Sequence, residues 1–180
     1  MSRIGKKIIV LPSNVELKYD EQTRLISVKG PLGELVRTIS DCVLISNENG
    51  NITIAVKDEN DRKQKAIWGT SRAVINNMIV GVSTGFNKTV ELNGVGFRME
   101  LTPTVLTLYI GFSHPVLVEI PPLVKLTLTK NVLSGTSIDK ELIGDFFSSV
   151  HNRKICDPYK QKGFKFPGRF YRKKVVKKGK

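Results

Sequence analysis

Two stretches of period-two alternation, each followed by a stretch of helical period, constrain the fold of this chain more than anything else in it. Val15, Leu17 and Tyr19 alternate with polar neighbours, and so do Ile52, Ile54 and Val56. Alternation sends successive side chains to opposite faces, one toward a core and one toward water. Between them, Leu25 to Lys29 and Leu35 to Ile39 flank Gly30-Pro31-Leu32-Gly33, which is hairpin turn chemistry. Residues 47–51 supply a second turn. From Arg62 to Gly81 the apolar residues Ile67, Val74, Ile75, Met78 and Ile79 then fall on one stripe of an amphipathic helix, with Gly81 as its stop.

The second half repeats this order. Thr89 to Asn93 and Phe97 to Leu101 flank Gly94-Val95-Gly96, which reads as another hairpin turn. Leu106, Leu108 and Ile110 alternate, then Val116, Val118 and Ile120, then Val124, Leu126 and Leu128. A helix follows from Asp139 to Lys154, striped by Leu142, Ile143, Phe146, Phe147 and Val150. Thr136 and Asp139 have capping-box-like spacing, and Asp139 and Glu141 suit the positive end of the helix dipole. Val15-Glu16-Leu17 recurs as Val90-Glu91-Leu92, and the same offset lays helix on helix. The expectation is an α+β chain of two tandem similar domains, 1–83 and 84–157. Each would be a small antiparallel sheet with one helix packed on it. A basic tail, 158–180, follows as an extended arm, and cutting it at 159 should leave a folded body.

Charge separates that tail from the rest. The last thirty residues carry 12 of the 29 Lys and Arg and a single acid, Asp157; the first 150 have a net charge of +2, the tail +11. Cations placed on phosphates release counterions, so such a tail gives strong, salt-sensitive, sequence-blind attraction to nucleic acid. A merely solubilising tail is the bland alternative. From Tyr159 onward Lys160, Lys162, Lys165, Arg169, Arg172, Lys173, Lys174, Lys177 and Lys178 interleave with Tyr159, Phe164, Phe166, Phe170 and Tyr171. Aromatic rings can stack on exposed bases while long cations follow the backbone. At least two of these five rings are expected to anchor the tail to the core instead. Arg3, Lys6 and Lys7 form a second, smaller basic cluster.

Nothing else carries chemistry. Neither His114 nor His151 has a Cys, Asp or Glu at metal-ligand spacing. Gly94-Val95-Gly96 lacks the third glycine of a dinucleotide fingerprint and leads into a strand pattern. No catalytic residue, metal or cofactor is expected. No apolar run approaches the roughly 18 residues of a membrane span, so no membrane partner is expected. The apolar run Ile8 to Leu11 is too short for a secretory signal. Cys42 and Cys156 read as ordinary intracellular thiols. The chain has three alanines against 20 Lys, 16 Ile and 11 Asn, a bias of AT-rich codons that hints at an organelle or a reduced genome.

Five segments in register resemble one family: Met1-Ser2-Arg3-Ile4-Gly5-Lys6-Lys7, Val28-Lys29-Gly30-Pro31-Leu32-Gly33, Glu91-Leu92-Asn93-Gly94-Val95-Gly96-Phe97-Arg98, Gly111-Phe112-Ser113-His114-Pro115-Val116 and Pro158-Tyr159-Lys160-Gln161-Lys162-Gly163. Together they are similar to the bacterial-type L-six family of large-subunit ribosomal proteins. That resemblance implies a structural, non-enzymatic protein on large-subunit rRNA near the sarcin–ricin loop stem. Ribosomal proteins would neighbour it, with the translation-factor site beside it. It implies phosphate contacts from Lys160 and Lys162, with Gly163 allowing close approach. Gln161, Cys156 and Phe164 depart from the family's usual residues. With the composition, this drift fits an organellar copy, mitochondrial, against a bacterial cytoplasmic one. A free architectural nucleic-acid binder and an RNA-acting enzyme remain the competing readings.

Overall fold

The computed structural model describes residues 2–48 and 50–175. The chain is α+β, built from small antiparallel sheets and two helices. It divides into two compact units, 1–86 with 138–140, and 87–137 with 141–180.

In the first unit, β1 (Ile9–Val10), β6 (Asn51–Val56) and β5 (Val43–Glu48) form one sheet in the order β1-β6-β5. β2 (Glu16–Asp20), β3 (Leu25–Gly30) and β4 (Gly33–Thr38) form a meander. Gly30 pairs with Gly33, so the Pro31-Leu32 turn closes the hairpin where the turn chemistry placed it. α1 runs from Arg62 to Ser83. Asp61 caps it, its side chain accepting from the Lys63 N–H. The helix continues past Gly81, which is buried, and ends at Thr84, followed by Gly85 at φ 75°. The N–H groups of Thr84 and Gly85 both bond to the Val80 carbonyl. The core joins Ile26, Val28, Ile52 and Ile54 to Trp68, Ile75, Met78, Ile79 and Val82 of α1. Trp68, outside the stripe expected from the sequence, is buried, and its indole N–H donates to the Ile54 carbonyl at 2.7 Å.

The second unit holds the meander β8 (Arg98–Leu101), β9 (Val105–Tyr109), β10 (Val116–Glu119). It also holds a four-stranded sheet in the order β11-β12-β7-β13, from β7 (Phe86–Asn93), β11 (Val124–Thr129), β12 (Val132–Ser137) and β13 (Gly163–Lys165). α2 spans Lys140–Arg153 and buries Ile143, Phe146, Phe147 and Val150. Several expectations need correction. Each unit has two sheets, not one. β7 and β8 lie in different sheets, so Gly94-Val95-Gly96 is a crossing between sheets and not a hairpin turn. It does need glycine: Gly94 and Gly96 sit at φ 151° and 79°. Thr136 is inside β12 and is no helix cap. Val15-Glu16-Leu17 and Val90-Glu91-Leu92 are not equivalent: β2 begins a meander, whereas β7 lies between β12 and β13.

The largest correction concerns the tail. It is not an extended arm from 158 onward. β13 pairs with β7, Phe164 opposite Leu92, and the Phe164 ring is fully buried. The unpaired edge of β7 accepts this short strand because Phe164 fills the core beneath it. A truncation at 159 would therefore remove core, not just charge.

Candidate nucleic-acid interface

Beyond α2 the backbone folds into a lobe, and Asp157 organises its first turn. One carboxylate oxygen accepts the Tyr159 N–H at 3.2 Å, the other the Lys160 N–H at 3.0 Å. The Asp157 N–H donates to the Lys162 carbonyl, and its carbonyl accepts from the Gln161 N–H. These hydrogen bonds, that from Lys160 first, then that from Tyr159, hold the Asp157 carboxyl below its ordinary value, and the Lys160 charge adds to them. Gln161 takes up a left-handed conformation, φ 56°. The tail's single acid thus spends its charge on backbone, and Lys160 stands exposed on its turn.

Gly163 is buried. At φ 127°, a Cβ there would lie 2.7 Å from the Lys154 carbonyl oxygen and 2.8 Å from that of Ile155. Its close approach is therefore to the chain's own backbone, a different partner from the RNA that the sequence suggested. After β13, Phe166 stacks on His151, ring centroids 4.9 Å apart, with the Lys88 ammonium 5.8 Å from the Phe166 centroid. The Tyr171 hydroxyl accepts the Phe166 N–H at 3.0 Å, and its carbonyl accepts from the Gln161 side-chain amide. Lys165 and Arg169 approach the Tyr171 ring. The Lys174 N–H donates to the Pro158 carbonyl at 2.9 Å and closes the lobe. Three of the five tail aromatics, Phe164, Phe166 and Tyr171, thus hold the lobe to itself or to the core.

The structure brings together Tyr159, Lys160, Lys162, Lys165, Arg169, Arg172, Lys173 and Lys174. Lys160, Arg169, Arg172, Lys173 and Lys174 are exposed, whereas Lys162 and Lys165 are half-buried. Residues 157–174 hold seven cations against one acid. Lys177 and Lys178 lie outside the described residues. Arg3, Lys6 and Lys7 belong to the first unit, on a turn where the Gly5 N–H donates to the Ser2 hydroxyl. Gly5 packs on the Trp68 ring, and the Arg72 Nε donates to the Lys7 carbonyl at 3.3 Å. The sequence reading missed Asp157 as an organiser. Its signal was available, because Asp before Pro favours a side-chain-stabilised turn.

Among the described residues no cluster of His, Cys, Asp or Glu could hold a metal, and no helix is long and apolar enough to cross a membrane. The folded lobe with its exposed cations is the candidate nucleic-acid interface of this chain. The pattern of the family described as Ribosomal protein L6 matches residues 11–85. The chain is 41% identical to the large ribosomal subunit protein uL6 of Enterococcus faecalis, covering 100% of both chains. It is 42% identical to that of Dictyoglomus thermophilum (100% of this chain, 99% of the relative) and 38% identical to uL6c of Porphyra purpurea (100% and 99%). The chain belongs to the ribosomal protein L6 family, uL6, whose members are structural ribosomal proteins and not enzymes.

Proposed function

We propose that this chain is a structural component of the large ribosomal subunit, bound to its rRNA mainly through the 157–174 lobe. One observation carries the reading: seven cations on a lobe whose only carboxylate is engaged by its own backbone. Lys160, Lys162, Lys165, Arg169, Arg172, Lys173 and Lys174 neutralise phosphates, joined by Lys177 and Lys178. Arg3, Lys6 and Lys7 add a contact from the first unit. The relatives' shared name supports the ribosomal assignment. The family resemblance supports a site near the sarcin–ricin loop stem, among other ribosomal proteins and beside the translation factors. Two units that each follow a hairpin with a helix support a tandem duplication, 1–83 and 84–157, with the basic segment 158–180 appended. The alanine-poor composition supports an organellar, mitochondrial copy over a bacterial cytoplasmic one.

The test replaces charge without truncation. Lys160→Gln with Lys162→Gln should weaken binding to purified large-subunit rRNA. The slope of log affinity against log salt should fall by about 1.4–1.8, at 0.7–0.9 per lost phosphate contact. An unchanged slope and affinity would remove the lobe from the interface. In native extract, the protein should stay with large subunits through a high-salt wash; release to the top of the gradient would contradict an integral role.

A further inference from the structure

Phosphate contacts leave open how this protein recognises anything beyond charge. Away from the lobe's cations, the second unit presents a cluster of a different kind. Phe112 and His114 project from the loop between β9 and β10, their rings 18° from parallel and 6.4 Å apart. That separation and angle are those of an offset-stacked aromatic pair. Phe112 is 50% exposed, and His114 is exposed.

The loop is held from below. Phe97 is wedged between two glycines: a Cβ on Gly94 would lie 2.5 Å from its ring, and one on Gly111, at φ 82°, 3.1 Å from it. The rings therefore sit on a fixed base. The Lys154 ammonium stands 4.9 Å from the Phe112 centroid and 5.9 Å from that of Phe97. The Lys154 carbonyl also accepts the Phe164 N–H at 2.9 Å, so one residue joins this cluster to the root of the cationic lobe. Neither loop, 94–97 or 111–115, contains a carboxylate.

We propose that Phe112 and His114 form a stacking platform for an unpaired nucleobase of the RNA, with Lys154 beside them to meet the adjoining phosphate. The inference rests on the RNA-binding reading above and adds a base contact to it. A flat apolar face next to an ammonium, with no acid in either loop, suits a base better than a peptide. Single-stranded bases are recognised in this way because every base has a π-face.

The experiment uses the full chain and purified large-subunit rRNA, titrated across a series of salt concentrations. Phe112→Ala should weaken binding about five- to 150-fold at every salt, from the usual worth of one stacked base. Its log–log salt slope should match the unsubstituted protein, because stacking releases no counterions. Phe112→Trp should restore affinity, and base-level chemical probing should show one unpaired base protected by the unsubstituted and Trp proteins but not by the Ala protein. Phe112 is half exposed, so the melting temperature should barely move, which separates lost stacking from lost folding. Binding of the Ala variant at full affinity would overturn the proposal, as would a fall in slope or failure of Trp to rescue. Unchanged rRNA affinity with lost incorporation into subunits would also overturn it, by showing that the platform meets a protein. The Lys160→Gln/Lys162→Gln protein run alongside keeps the two readings apart. If it loses affinity while Phe112→Ala does not, only the platform fails. If both bind normally, the RNA-binding reading fails with it.

Discussion

Gly163→Ala is the sharpest perturbation of the lobe, because the added methyl group has nowhere to go. Its Cβ would lie 2.7 and 2.8 Å from two carbonyl oxygens and 3.0 Å from the Cys156 Cα, all backbone. No rotamer relieves that clash. The φ of 127° adds strain for any residue with a side chain, about 1–3 kcal/mol, and overpacking a fitted site costs about 1–3 kcal/mol. The bond from the Phe164 N–H to the Lys154 carbonyl would lengthen as the backbones part, at about 1 kcal/mol. The chain has an escape: releasing β13 and exposing Phe164, which forfeits about 1.5–3 kcal/mol of burial and the strand's hydrogen bonds. The cheaper route sets the outcome, so we expect a destabilisation of about 3–4 kcal/mol. It should appear as a lower urea midpoint and as early hydrogen exchange at the amides of residues 164 and 165. Gly168→Ala is the control. Gly168 also has a positive φ, 79°, but no atom within 4 Å of the added carbon, so it should show only the conformational strain. If the two variants are equally stable, backbone contact at Gly163 is not what anchors the lobe, and the reasoning fails.

Asp157→Asn should be less stable than the parent at neutral pH. Because the folded pKa is depressed, the carboxylate's contribution is complete above the unfolded value near 4 and vanishes as pH falls through the folded value. Urea midpoints of the two proteins should therefore converge once the pH has fallen below the folded value, and a gap that persists in acid would deny the carboxylate its role. Trp68→Phe replaces the buried indole with a smaller aromatic ring and loses the donor to the Ile54 carbonyl. Leaving that buried acceptor unmet should cost about 1–3 kcal/mol in chemical denaturation, and a neutral substitution would show that the acceptor finds another partner.

Much of the fold is legible where local chemistry and tertiary packing agree. The hairpin at residues 25–38 follows from alternation on both sides of Pro31-Leu32, and the helix stripes follow from their spacing. Trp68 escaped the α1 stripe because its neighbour Ile67 matched the period, yet the indole goes into the core and finds a carbonyl there. β12 escaped because its inward face has one large apolar residue, Leu133, followed by Gly135 and Ser137, too small and polar to extend an apolar alternation. Gly135 must be small: a Cβ there would lie 2.7 Å from the Phe147 ring. β13 escaped for a different reason. Three residues, Gly163–Lys165, are too few to show a strand period, and only the open edge of β7, remote in sequence, makes them a strand. Of the candidate site, the cations were legible as composition, but their arrangement was not. It depends on Asp157, whose carboxylate looks like an exception to the charge and is in fact the organiser of the turn.

A folded lobe and a loose arm of the same charge would bind RNA differently. Fixing one residue's backbone costs about 1–2 kcal/mol, and an arm of this length would meet that cost when it bound, lowering affinity for the same number of phosphates. Here the ordering is met during folding, by Phe164 in the core, Phe166 on His151 and the Lys174–Pro158 closure. Lys160 stands on a turn already formed in the protein alone. The consequence is a division of labour within one short segment. Phe164, Phe166 and Tyr171 pack inward and supply rigidity, while Lys160, Arg169, Arg172, Lys173 and Lys174 are exposed and, on the proposed function, supply attraction. Substitutions of the first kind should change binding through stability, with the salt slope kept. Substitutions of the second kind should change the slope and leave stability near its original value.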